Sequence, residues 1–222
     1  MAQLTYLMDE ICSGVEIYFT GRTGQQYLKT AFILCDDYTE LTSKLFLKID
    51  DPSWTDQKGN GRFKSYHDIH TDVQRVFSEK RPTDLTQIEM LLKSMKERHD
   101  RRNDFFHSTH LLDLSVTQRN CVEAFCDLMD YGNLLFVFDW SEKVKESRNL
   151  EVFKVLLRLE KKSFSDPAVT PKVMKILGEW PRNISISSRK GVHLAVHPED
   201  LHLRLCVIHG GNSLKDKLSA LL

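Results

Sequence analysis

Apolar residues in the first two thirds of the chain recur at three- and four-residue steps. Between residues 25 and 49, Tyr27, Ala31 or Phe32, Leu34, Tyr38, Leu41, Leu45 and Ile49 form one stripe, which predicts a long amphipathic helix. A shorter helix is predicted over residues 4–19, set off by Gly21-Arg22-Thr23-Gly24. Residues 50–62 contain Pro52 and Gly59-Asn60-Gly61 and predict a loop. Helical spacing returns over residues 68–77. Pro82 with Thr83-Asp84 then starts a helix whose inner side carries Leu85, Ile88, Leu91, Leu92 and Met95. That helix runs into the polar residues 96–104. Another is predicted from about Thr117 to Phe138, with Val122, Phe125, Cys126, Met129 and Leu134 apolar and Gly132 a weak point. The charged residues 140–149 lead as helix into the apolar residues 152–157.

The pattern changes at Ser163-Phe164-Ser165-Asp166-Pro167. A short helix over residues 171–179 is followed by apolar positions at a period of two: Ile184 and Ile186, then Val192, Leu194 and Val196, then Leu201, Leu203, Leu205 and Val207. This alternation predicts strands, with His197-Pro198-Glu199-Asp200 as a turn between the last two. The expected fold class is therefore mainly α: a helical domain over residues 1–162 and a small α+β appendage over residues 163–222. No internal repeat interrupts this division.

Composition narrows the function classes. The chain has 222 residues, 41% of them hydrophobic, and its 31 Lys+Arg balance 31 Asp+Glu. That length buries a core without help from disulfides. A net charge of zero argues against broad phosphate-driven binding, so any contact with nucleic acid must be local. Cys12, Cys35, Cys121, Cys126 and Cys206 are odd in number and widely spaced, as expected of reduced, mostly buried thiols. The opening residues lack the basic start of a secretory signal, and no apolar run approaches the roughly 20 residues of a membrane span. These features predict a cytoplasmic protein without a membrane partner.

The chemistry is concentrated in residues 96–110, KERHDRRNDFFHSTH. A helix through this stretch would align His99, Asn103 and His107 at four-residue steps as a polar stripe. Arg102 and His107 are five apart, about 140° around an ideal helix. Only the reach of Arg or a distorted turn would bring both to one point. The same cluster would also arise as a solvated helix end, where the dipole favours cations.

Arg102-Asn103-Asp104-Phe105-Phe106-His107 resembles the Arg-polar-(three or more residues)-His motif of HEPN-domain ribonucleases. Those domains are helical bundles with a long antiparallel pair, and the motif lies near the start of a late helix. Here the helix of residues 25–49 and the one after residue 110 resemble that framework, with the likeness covering about residues 20–160. It implies metal-independent RNA cleavage, without a cofactor, at a composite site built by a homodimer. His107 would act as general acid or base, Arg102 would hold the scissile phosphate, and Asn103 would orient the ring or donate to phosphate. Products would end in 2′,3′-cyclic phosphate and 5′-hydroxyl. Arg101 is a competing register for the Arg, and Asn103 following it favours Arg102. Lys96, Arg98, Arg101 and His110 are the expected RNA contacts, forming one basic groove on a neutral protein. In family toxins silenced by AMP transfer, a Tyr stands two residues after the His. Thr109 stands there in this chain, so that route is disfavoured.

The resulting expectation is an endoribonuclease of a prokaryotic defence or toxin system, with RNA as substrate, a second copy of itself as partner, and a further antitoxin or sensor partner. The alternative is a non-catalytic HEPN-like module that binds a nucleotide or a protein. Other signals are weaker. His67-x-x-His70 with Asp68 and Asp72 mimics metal ligands without completing a tetrahedral set, so no metal is expected. Gly21–Gly24 lacks the Lys of a phosphate-cradling loop. Residues 163–222 carry eight Lys/Arg against five acids. That excess suits RNA contact and a dimer or strand-edge role equally.

Overall fold

The computed structural model describes residues 2–21, 24–107, 115–136, 148–178 and 212–222. Among these, regular structure is almost wholly helical: α1 Ala2–Gly21, α2 Gln25–Asp50, α3 Tyr66–Lys80, α4 Leu85–His107, α5 Gln118–Phe136, α6 Arg148–Ser163, α7 Val169–Gly178 and α8 over 212–219. The strands expected over residues 184–207, and with them the α+β character of the appendage, lie outside the described residues.

Local chemistry sets the element ends. Ser65 opens α3 with a reciprocal cap: its hydroxyl accepts from the Asp68 backbone N–H, and the Asp68 carboxylate accepts from the Ser65 N–H. Thr117 and Asn120 make the same exchange at the start of α5. The loop between α2 and α3 turns at Gly61, whose φ of 77° suits glycine, and closes on a single bridge between Gln57 and Phe63. Pro82 opens a 3-10 turn, Pro82–Asp84, ahead of α4. Arg81 lies beside it, its guanidinium over the Phe77 ring and donating to the carbonyl oxygen of Leu134 near the end of α5. Gly132 is buried within α5 and does not break it.

Cross-contacts give the directions of the central helices. Cys121 donates its thiol to the Leu28 carbonyl, Ser43 and Tyr131 share a hydrogen bond, and Phe46 packs on Phe136. Sequence number rises together along both helices, so α2 and α5 run parallel. α4 also packs on α2 and runs antiparallel to it, since Asp36 meets His99 and Phe32 meets Phe105. The helix after residue 110 is therefore not the antiparallel partner expected for residues 25–49; the two run parallel. The physical reason is that α5 lays its apolar face along α2, and the polar end of α4 then pairs with both neighbours, His99 and Arg102 with α2 and Arg98 with Asp127 of α5.

One buried cluster links all eight helices, with Tyr18, Phe32, Phe77, Phe125, Tyr131 and Phe153 among its largest members. Val169, Leu177, Leu214 and Leu218 belong to it, so the described parts of residues 163–222 share the core of the helical domain. α1 is held at its far end by α6: the Tyr18 hydroxyl donates to Glu160 at 2.7 Å, and the Phe19 and Phe153 rings stack at 6.0 Å. Gly14 marks a close approach of α1 to α2 and α5, since a Cβ there would lie 2.7 Å from Tyr38 Cε2 and 3.4 Å from Phe125 Cζ. Gly14→Val is expected to lower unfolding free energy by about 1–3 kcal/mol, read from urea denaturation, because both rings are packed and have little room to yield.

Candidate functional site

The polar stripe of α4 meets two adjacent carboxylates of α2. Asp36 falls on the same face of α2 as Phe32, Thr39 and Ser43, a stripe directed into the core, and its side chain is only 5% exposed. A carboxylate so placed demands partners. His99 supplies one, with Nδ1 2.9 Å from Asp36 Oδ2, and Arg102 Nε lies 3.8 Å from the same oxygen. The Arg102 guanidinium also donates to Asp37 Oδ1 at 3.1 Å and to Asn103 Oδ1 at 3.2 Å.

From α3, the Tyr66 ring stacks on His99 at 3.9 Å between centroids with only 12° between planes, and His70 lies 4.0 Å away on Tyr66. Among the described residues neither the Tyr66 hydroxyl nor His70 Nε2 has a hydrogen-bond partner. Burial pushes the Asp36 carboxyl up, opposed by the His99 hydrogen bond and the charge of Arg102. Asp37 is raised by burial and opposed by Arg102. Burial depresses His70 to about 3, reinforced by His99 and His67. Tyr66 is raised, chiefly by burial and then by the charge of Asp36.

The residues picked from sequence divide among several places. Arg102 and Asn103 share the cluster with Asp36 and Asp37, and His107 closes α4. The helix continues unbroken from Arg102 to His107, so the two stay about 140° apart around its axis, without a distorted turn to align them. Arg101 and Arg102 diverge, Arg101 donating to the Ser115 carbonyl ahead of α5 and Arg102 reaching α2.

Arg98 turns to α5, donating to Asp127 at 2.9 Å and to Ser94 at 2.7 Å, and is 16% exposed. Its charge is thus matched within the fold rather than left open on the surface. Lys96 pairs with Asp100 across one exposed turn. The groove expected to be concentrated and basic is therefore charge-paired: Lys96, Arg98, His99 and Arg102 each meet a carboxylate. His110 lies outside the described residues.

Asp36, Asp37, Tyr66 and His99's role were not legible as a site from the motif alone. The available signal was Asp36-Asp37 set inside the apolar stripe of a long helix. The His67/His70 candidate disperses, because Asp68 caps α3, Asp72 accepts from Trp54 Nε1 and Lys64 Nζ, and His70 turns inward. Among the described residues, no group of His, Cys, Asp and Glu could hold a metal ion, and no helix is long and apolar enough to cross a membrane. The described cysteines are free, and burial pushes Cys12, Cys121 and Cys126 up to about 12.

A separate groove of about 640 Å³ opens between α5 and α6, lined by Arg119, Cys126, Arg158, Lys161 and Phe164 among others. Several of its cations are engaged: Arg158 with Asp130, Arg119 over Phe164, and Lys162 with the carbonyl oxygens of Leu221 and Leu222. No protein-family model, curated protein or solved structure matches this chain.

Proposed function

We propose that this protein is a metal-independent endoribonuclease of HEPN type, acting as a homodimer in a prokaryotic defence or toxin setting. The observation that carries the reading is the fixing of Arg102. Its guanidinium is held between Asp37 and Asn103, beside a buried Asp36–His99 pair, on the helix that His107 closes. A preoriented guanidinium is suited to a phosphodiester, which it engages through two parallel N–H donors, and to the charge that grows on phosphorus oxygens during transfer.

RNA supplies its own nucleophile. The 2′-hydroxyl attacks the adjacent phosphorus, its proton passes to an imidazole, and a second imidazole protonates the departing 5′-oxygen. A two-fold dimer would bring the α4 ends of both protomers together, so that imidazoles from two chains can serve one phosphodiester. The finer fold assignment, a HEPN-like bundle with an α+β appendage, belongs to the same proposal. The antiparallel α2–α4 pair and the position of Arg102-Asn103 on it support it, while the motif lies at the end of α4, unlike its place near a helix start in that family.

The test is cleavage of tRNA and structured RNAs by the purified protein in EDTA. Products ending in 2′,3′-cyclic phosphate and 5′-hydroxyl are expected, and cleavage should disappear in the Arg102 and His107 variants. One observation favours a second reading, a non-catalytic nucleotide- or protein-binding module: the cations around Arg102 are already matched by carboxylates. A folded dimer that leaves every RNA intact in EDTA, yet binds nucleotide or protein through Arg102, would select that reading.

A further inference from the structure

His99 has the features of a functional imidazole. Its Nδ1 is bound to a carboxylate that is itself buried, one ring face is covered by Tyr66, and its side chain keeps 18% exposure. The positive charge of Arg102, with Nε 3.8 Å from the same Asp36 oxygen, favours the carboxylate form, which can only accept. His99 Nδ1 is then the donor, and in the neutral ring Nε2 holds the lone pair. A carboxylate behind an imidazole fixes its tautomer and orientation and stabilises the imidazolium that forms on proton uptake.

We propose that His99 is a second catalytic residue, the general base that takes the 2′-hydroxyl proton of RNA held by Arg102, and that His107 of the other protomer is the acid. The inference rests on the ribonuclease reading above. The step balances: the 2′-oxygen forms a bond to phosphorus, its proton moves to His99 Nε2, the bond from phosphorus to the 5′-oxygen breaks, and that oxygen takes the His107 proton. Solvent then returns both imidazoles to their starting states.

The division between protomers follows from the helix. His99 and His107 are eight residues apart on one continuous α4, about 12 Å along its axis and 80° around it. An acid and a base serving one phosphodiester must each come within about 3 Å of oxygens on the same phosphorus. Two α4 ends meeting across a two-fold axis satisfy both demands. The charged and titratable groups facing His99 are Asp36 and Asp37 from α2, Tyr66 and His70 from α3, and Arg102 on α4 itself.

The experiment uses the full-length dimer. His99→Gln is expected to lose about 10²-fold in kcat/KM and to lose the acid limb of the pH profile. Asp36→Asn, which keeps a hydrogen-bond acceptor for the ring, should move that limb to lower pH. A merely structural role would lower the rate equally at every pH and overturns the proposal. A uridine 3′-phosphate ester with a p-nitrophenolate leaving group needs no acid, so His107→Ala should regain activity on it while His99→Gln stays impaired; the reverse pattern overturns the assignment.

Co-expressed, differently tagged His99→Gln and His107→Ala chains, purified as the mixed dimer, contain one intact composite site and should recover roughly half the wild-type rate. Full inactivity of the mixed dimer overturns the division between protomers. Wild-type protein that cuts no RNA removes the ribonuclease reading itself, whereas active wild type with an unaltered His99→Gln removes only this inference.

Discussion

Arg102→Ala is expected to slow RNA cleavage by about 10²–10³-fold, the cost of removing one preorganised group that stabilises transition-state charge. The loss should fall on kcat as well as kcat/KM, because phosphate charge grows during the reaction and the guanidinium is worth more at that point than in the ground state. Arg102→Lys should recover little. Lysine keeps the charge, but it cannot hold Asp37 and Asn103 through one planar fork while presenting further donors. His107→Ala should match or exceed the loss in Arg102→Ala, since removal of a general acid or base costs about 10²–10⁴-fold. The measurement is initial cleavage rate on a fluorogenic RNA, with thermal unfolding alongside. Arg102 is 26% exposed, and its removal leaves the His99–Asp36 bond in place, so the variant should fold. Wild-type rates in Arg102→Ala would remove its assigned role.

Acid should destabilise this protein in part through His70. The ring is 6% exposed, and burial holds its pKa at about 3, against about 6.5 in the unfolded chain. The folded pKa is the lower one, so between pH 6.5 and 3 the unfolded chain binds the extra proton. Stability is complete above pH 6.5 and is lost as pH falls through that window, by on the order of 4–5 kcal/mol in all. The slope is about 1.4 kcal/mol per pH unit. Asp36 acts in the opposite sense: its raised carboxyl favours proton binding by the folded state, and it offsets part of the loss at the acid end. His70→Leu removes the titrating group and the unpartnered Nε2 together. Urea unfolding of this variant between pH 4 and 6.5 should show a slope shallower by about one proton. An unchanged slope would show that His70 takes no part in it.

The helices were legible because their apolar positions repeat, and two of their starts because Pro82 and Thr117 are starting or capping residues; α3 begins at Tyr66, ahead of the expected residue 68, because Ser65 caps it. The neighbours of each helix were not. Nothing in the stripe of α5 says that it runs parallel to α2, since direction depends on how α3 and α4 return the chain. The site was half legible: Arg102 and Asn103 stood out as a motif. Asp36, which organises them, is far away in sequence and looked like one more polar residue in a helix. Its burial, and the stacking of Tyr66 on His99, arise only when α2, α3 and α4 pack. Arg98 shows the converse. A run of cations reads as a surface, yet the helical twist carried this member inward to Asp127.

The bond between Tyr18 and Glu160 spans 142 residues of chain and bears on how the protein is made. α1 and α2 are neighbours in sequence and pair soon after they leave the ribosome. Tyr18 and Phe19, however, must wait for Phe153 and Glu160 to be synthesised. At about 5–20 residues per second the delay is roughly 7–30 s. During that interval the nascent chain displays an aromatic edge with no mate. The contact that fixes the far end of α1 is thus closed only after most of the chain has been made.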